Sequence, residues 1–393
     1  MTARMSRRSR RLTLLAGGAV VAMLVGGCSG GLLGGGEGST PEDGPIVLGM
    51  LVPLSGSSAA IGPYMKNGAQ LAVDEINAKG GVDGRKLELK VEDGACDAKT
   101  AVAGANKLVT EKIIISVGGY CSGATLPTLP IFSKANIPML IPAANSNELV
   151  DQHLPNVFLV NGTGTQQADA ALNFMTKVEA KKVALMDDNT SYSKDIADLT
   201  AALLKESGGP ELSGRESVTP GESDYSANVN SIIKGQPDFV YWTGYYQEGG
   251  LIIRQLRQAG YQGKIMVADG SVDGKLAEIA GGSNAEGVLA TMTQTPDTIE
   301  GASAWIADYK KKFAADPGPF STQSYDAVRV AAEAIGKAES TKGEDITKAL
   351  EAIDGFQLFS GPLRFTKDHT LSSGGFQILE MKGANFALKD ALQ

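Results

Sequence analysis

From Ile46 onward, short apolar runs alternate with longer amphipathic stretches, and this alternation constrains the fold more than any single motif does. The apolar runs cover residues 46–52, 87–91, 113–117, 138–141, 157–160, 183–186, 239–242, 265–267 and 288–289. Between them, residues 68–78, 98–109, 166–178, 195–204 and 249–259 carry apolar side chains at helical spacing. Strands separated by helices in this order form βαβ units, which build parallel sheets covered by helices on both faces. A chain of 393 residues exceeds one ordinary domain. The alternation restarts after Val160, so the expected fold is α/β with two Rossmann-like lobes of similar build.

The N-terminal segment reads differently. Arg4, Arg7, Arg8, Arg10 and Arg11 precede an apolar run at residues 12–25, which is too short to cross a bilayer and suits the apolar part of a secretory signal. The run ends at Val25-Gly26-Gly27-Cys28, the form of a bacterial lipobox in which Cys28 becomes the acylated first residue of the mature chain. Residues 1–27 are thus expected to be a lipoprotein signal peptide, and Ser9-Arg10-Arg11-Leu12 leaves the general and twin-arginine export routes both open. Residues 28–45 form a Gly-rich tether whose reach is about 20–25 Å. The expected location is extracytoplasmic, lipid-anchored to the bacterial membrane, at the cell surface or in the periplasm.

Removal of the signal leaves 31 basic residues against 44 acidic ones, a balance of −13. Nucleic acid is not an expected partner of such a surface. With Cys28 acylated, Cys96 and Cys121 remain, each at the end of an apolar run where a helix begins. In an exported chain these two are expected to pair.

Two motifs suggest enzymes. Gly119-Tyr120-Cys121-Ser122-Gly123 has the form of a nucleophile elbow with cysteine as nucleophile, but the candidate bases His153 and His369 sit in Pro-rich or charged loop-like segments in which no acidic orienter is legible for either. Gly162-Thr163-Gly164-Thr165-Gln166-Gln167 follows a strand and opens a helix, with Asp187 at the distance of a ribose-binding acid. Gln167 stands where that fingerprint needs its third glycine, and a Gly-rich crossover into the second lobe explains the segment better. No metal site and no cofactor are expected, because the two histidines are far apart and no acidic cluster has calcium spacing.

Ligands of open parallel sheets bind beyond the carboxyl ends of the strands. The residues just after the apolar runs are Ser55 and Ile61, Ser122, Ala143 and Asn145, Tyr192, Tyr245, and Asp269. The Trp242, Tyr245, Tyr246 group would ordinarily be core, or a carbohydrate platform, but Tyr245 falls after its strand.

Several blocks resemble one family in both order and spacing. They are Pro53-Leu54-Ser55-Gly56, Asp74-Glu75-Ile76-Asn77-Ala78-Lys79-Gly80-Gly81-Val82, Asp97-Ala98-Lys99-Thr100-Ala101-Val102-Ala103, Cys121-Ser122, Ile141-Pro142-Ala143-Ala144-Asn145, Tyr245-Tyr246-Gln247-Glu248-Gly249 and Ala285-Glu286-Gly287. The chain resembles the leucine/isoleucine/valine-binding proteins of branched-chain amino acid ABC importers, which share the type I periplasmic-binding fold. The resemblance implies chain crossings near residues 163, 293 and 372, giving a first lobe of 46–163 plus 294–371, a second of 164–293 plus 372–393, and a three-segment hinge that closes on a ligand.

It also implies a non-enzymatic receptor, monomeric, that delivers a branched-chain or other aliphatic amino acid to a membrane permease. The eight strand-end residues are the positions at which that family holds its amino acid. Ser122 and the N–H of Asn145 are expected to meet the carboxylate. The carbonyl of Ala143, the side-chain oxygen of Asn145 and the Asp269 carboxylate are expected to meet the ammonium, while Tyr192 and Tyr245 close over the aliphatic part. Three positions depart from the family: Ile61 replaces an aromatic residue, Asn145 a threonine, and Asp269 a glutamate. A ligand-sensing lipoprotein for amino acids or small amides remains the alternative, with a Rossmann-type enzyme behind it.

Overall fold

The computed structural model describes residues 44–372 and 374–391. The expected signal peptide, Cys28 and nearly all of the tether lie outside the described residues.

The first sheet contains β1 (Ile46–Val52), β2 (Leu87–Asp93), β3 (Ile115–Ser116), β4 (Met139–Ile141) and β5 (Val157–Leu159), in spatial order β2-β1-β3-β4-β5 and parallel throughout. The second contains β6 (Lys182–Asp187), β7 (Glu211–Ser217), β8 (Phe239–Trp242), β9 (Lys264–Val267) and β10 (Leu289–Met292). These run in the order β10-β9-β8-β6-β7, which repeats the first sheet's winding. A doubly wound order of this kind has one switch point, between β1 and β3 in the first sheet and between β6 and β8 in the second. Strands β1, β6 and β8 follow the expected runs closely because nearly all their residues are buried, and a parallel strand covered on both faces is apolar along its length.

The second sheet departs from the expectation of purely parallel pairing. After a small hairpin of β11 (Asp354–Leu358) and β12 (Gly361–Arg364), strand β13 (Gln377–Lys382) pairs antiparallel with β10, and β14 (Asn385–Asp390) pairs antiparallel with β13. The turn between these last strands holds Gly383 at φ 64°, the left-handed conformation that a two-residue hairpin loop needs.

Between β10 and β13 the chain leaves the second sheet. Helix Ser321–Ala338 packs along helix Ile61–Ala78 and touches β4, so it belongs to the first layer. Thus the chain passes between the two layers after β5, after β10 and before β13.

Local chemistry sets the helix starts that matter for the site. Asp97 caps helix Ala98–Thr110 by accepting the Thr100 N–H at 2.8 Å. Thr190 caps helix Ser191–Ser207 in the same way through Ser193. Thr163 and Gln166 form a reciprocal capping box at the start of helix Gly164–Lys177. That box satisfies the donors a dinucleotide phosphate would require, and Asp187 is buried against Arg215 at 3.0 Å, so neither half of the dinucleotide motif is available.

Candidate ligand-binding site

Six of the expected residues meet where the carboxyl ends of the two sheets face each other. Ser122 opens helix Ser122–Thr125 after β3, Ala143 and Asn145 follow β4, Tyr192 follows β6, Tyr245 follows β8, and Asp269 follows β9. All six are buried.

The Ser122 side follows from tight backbone packing. Gly118 lies flat on β1, where a Cβ would come within 2.4 Å of the Leu51 nitrogen. Gly119 turns with φ 118°, and Tyr120, Cys121 and Ser122 follow it, all buried. Cys121 stands at disulfide distance from Cys96, with a Cα–Cα separation of 5.3 Å. Ala95 and Cys96 both have left-handed φ, held in part by the Ala95 N–H donating to Asp93 Oδ1 at 2.8 Å.

Ser122 Oγ accepts the backbone N–H groups of Asn145 at 3.3 Å and Ser146 at 3.2 Å. Both lone pairs are therefore engaged, so the hydroxyl hydrogen is left to donate elsewhere. The expected role of the Asn145 N–H as a ligand donor changes accordingly, since the fold commits that group to Ser122.

Asp269 anchors the opposite polarity. Its Oδ1 accepts from the Tyr192 hydroxyl and from Gln167 Nε2 at 3.0 Å, and its Oδ2 faces Asn145 Nδ2 at 3.4 Å. Burial pushes the carboxyl up to about 6, against the hydrogen bonds from Tyr192 and Gln167, which pull it down. Asn145 Oδ1 is buried and has no hydrogen-bond partner. The Ala143 carbonyl accepts from Asn161 Nδ2 at 2.9 Å.

Aromatic rings cover this polar centre. Tyr245 packs on Tyr192 with ring centroids 5.0 Å apart and on Tyr120 at 6.0 Å, and Tyr120 also meets Phe320 edge-on at 5.6 Å. Burial raises the phenols of Tyr120, Tyr192 and Tyr245 well above their ordinary value, so all three stay neutral. Further contacts join the two layers at the rim: Ser191 Oγ donates to Glu148 Oε2 at 2.5 Å, and the Asn147 N–H donates to Asp195 Oδ2 at 2.9 Å.

Ser55 and Ile61 fall differently. Ser55 is exposed, with its N–H on Asp93 Oδ1 at 3.3 Å. Ile61 starts helix Ile61–Ala78 and packs into the core, with only 1% of its surface exposed. Two residues that strand-end reasoning missed belong with the site. Tyr120 lies two positions before Ser122, where the helix starts, and in the sequence Gln167 stands out only as the residue in place of a third glycine in a dinucleotide motif. A fully buried glutamine on an otherwise apolar helix face was the signal for the latter.

Two lobes wound alike, with donors on one cleft wall and a carboxylate on the other, define a cleft-binding receptor. The chain belongs to the periplasmic binding protein family, whose model matches residues 45–385. It is 34% identical to Leu/Ile/Val-binding protein homolog 3 of Brucella melitensis over 85% of this chain and 91% of that protein. It is 31% identical to the leucine-, isoleucine-, valine-, threonine- and alanine-binding protein of Pseudomonas aeruginosa, over 85% of this chain and 89% of the other. Among solved structures, the branched-chain amino acid transporter substrate-binding protein of Streptococcus pneumoniae in complex with isoleucine superposes with a TM-score of 0.81 at 28% identity, covering 88% of this chain and 99% of that one. These relatives are substrate-binding proteins of transporters and not enzymes, and the family's location is extracytoplasmic.

Proposed function

We propose that this protein captures an aliphatic α-amino acid, of the branched-chain type or a close relative, between its lobes and presents the closed form to the permease of an ABC importer. The observation that carries the reading is the division of polarity across the cleft. Ser122 has a hydroxyl hydrogen to give, while Asn145, whose Nδ2 faces the Asp269 carboxylate, leaves its Oδ1 as a buried acceptor without a partner. A zwitterion needs this pairing: donors for its carboxylate, acceptors for its ammonium, and little water between them. Ser122 takes the carboxylate; Asp269, Asn145 Oδ1 and the Ala143 carbonyl take the ammonium; Tyr192 and Tyr245 cover the aliphatic chain. Ser55 and Ile61 stand apart from this polar centre in this reading, Ser55 exposed beside Asp93 and Ile61 packed in the core of the first lobe.

The boundaries in this reading are 46–163 plus 294–371 for the first lobe and 164–293 plus 372–393 for the second, hinged at the three passages between layers. Lipid on Cys28 tethers a monomer to the membrane, and the Cys96–Cys121 bond fixes the loop that carries Ser122. The relatives that bind leucine, isoleucine and valine support the ligand class. Titration calorimetry with leucine, isoleucine, valine, threonine and alanine tests it. Saturable one-site binding of at least one is expected, and no heat with any of them overturns the reading. The anchor is tested by Cys28→Ser, which should release the mature protein from the membrane fraction.

A further inference from the structure

We infer that Gln167 is a positioning residue of the ammonium subsite, whose amide fixes the orientation of both Asp269 and Asn145 and thereby turns Asn145 Oδ1 toward the ligand. The inference rests on the amino acid reading above and adds to it a residue that none of the strand ends supplies.

The Gln167 amide is fully buried and has polar partners on both of its ends. Its Nε2 donates to Asp269 Oδ1 at 3.0 Å and to Thr291 Oγ1 at 2.9 Å, and its Oε1 accepts from Asn145 Nδ2 at 2.9 Å. The opposite orientation would place an amide oxygen against an ionised carboxylate at hydrogen-bond distance, two acceptors with no proton between them. Asp269 thus decides which way Gln167 points. Gln167 in turn decides Asn145, because an Oε1 facing that residue demands its Nδ2 and sends its Oδ1 the other way. The outcome of the chain is an unpartnered buried acceptor, Asn145 Oδ1.

Geometry also separates what is fixed from what is formed on closure. Gln167 sits on helix Gly164–Lys177, which packs against β10 and β13, so Gln167, Asp269 and Thr291 all belong to the second layer. Asn145 follows β4 in the first. The Gln167–Asp269 pair is therefore built into one lobe, and its contact with Asn145 reports that the lobes have met. Asp269 is a short acid, and the long amide of Gln167 reaches it from the neighbouring helix. The other groups facing Asp269 are the N–H of Gly270 and the phenols of Tyr120, Tyr192, Tyr241 and Tyr245, all four kept neutral by burial.

The test uses the mature protein and Gln167→Met, which retains volume and loses the amide, with Thr291→Val as a milder variant that only loosens the Gln167 amide. Carbon-detected NMR of the ligand-free protein follows the Asp269 carboxyl through its titration. Calorimetry follows the amino acid that the wild type binds best, across pH. Expected for Gln167→Met is an Asp269 midpoint moved to higher pH, together with an affinity lower by on the order of ten- to a hundredfold, the worth of a hydrogen bond to a charged group. The acid limb of the affinity profile should move the same way, and Thr291→Val should show a smaller shift in the same direction. An unmoved Asp269 titration overturns the inference, even if affinity falls, because that is the pattern of a packing defect. A wild type that binds no amino acid overturns the parent reading instead, and the NMR arm still reports whether Gln167 governs Asp269.

Discussion

Asn145 Nδ2 lies 3.4 Å from Asp269 Oδ2, and the two residues stand at the carboxyl ends of strands in different sheets. In the proposed reading, closure of the cleft is what makes them neighbours. The contact places an amide from one layer on a buried carboxylate from the other, so the centre of the cleft is electrostatically coupled to the approach of its walls.

Asp269→Ala tests that centre directly. Removing the carboxylate leaves a desolvated ammonium short of one partner, and binding should weaken by about 2–5 kcal/mol while the ligand-free protein stays folded. Calorimetry on wild type and variant measures the difference, and circular dichroism checks the fold.

The same carboxylate gives affinity a pH dependence of defined sign. Asp269 is raised to about 6 by burial, so below that pH the ligand-free protein carries it protonated. An ammonium ligand prefers the ionised form and lowers its pKa in the complex. Affinity should therefore be level above pH about 6 and fall by up to tenfold per pH unit below it. In Asp269→Asn this acid limb should vanish. For stability the sign is opposite: a carboxyl raised on folding contributes stability below its unfolded value of about 3.9 and loses it as pH rises through about 6, so ionised Asp269 is a liability in the empty receptor that the ligand relieves.

Cys96 and Cys121 are separated by 25 positions in sequence, and for a loop of that length a bond contributes roughly 3–4 kcal/mol on the chain-entropy model. Unreduced tryptic digests should yield the linked peptide. Reductant should lower the urea midpoint of wild type and leave Cys96→Ser/Cys121→Ser unchanged.

At the rim, Asp195→Ala removes the acceptor of the Asn147 N–H without touching the polar centre. Loss of about 1 kcal/mol from the closed form is expected, or roughly a fivefold weaker affinity. Small-angle scattering should show compaction on saturation in both proteins, at a higher ligand concentration in the variant.

The sequence made the parallel strands legible because burial on both faces leaves uninterrupted apolar runs, and it made the strand-end residues legible because position alone selects them. Strand β7 escaped for the opposite reason: Glu211–Ser217 is an edge strand, partly exposed, and its residues show no apolar run. The antiparallel β13–β14 pair escaped because a hairpin appended to a parallel sheet breaks the alternation from which the rest was read. Ser55 and Ile61 share the vicinity of one strand end yet part company in space. Ser55 turns out to solvent on Asp93, whereas Ile61 begins a helix whose apolar face is core. Gln167 was visible only as an imperfect glycine motif, because its partners Asp269 and Thr291 lie more than a hundred residues away.

Strand β10 lies between β9 and β13, and β13 begins at Gln377, well beyond the end of β10 at Met292. Every residue of β10 is buried in the finished molecule. While the polypeptide is being delivered from its N-terminal side, that strand has one neighbour and a raw apolar edge, open until the intervening segment has been laid onto the other layer and the last strands arrive. Unpaired edges of this kind recruit other chains. The yield of native protein should therefore depend on how quickly β13 and β14 follow β10, and damage to these two strands should be felt first as aggregation and only afterwards as lost affinity.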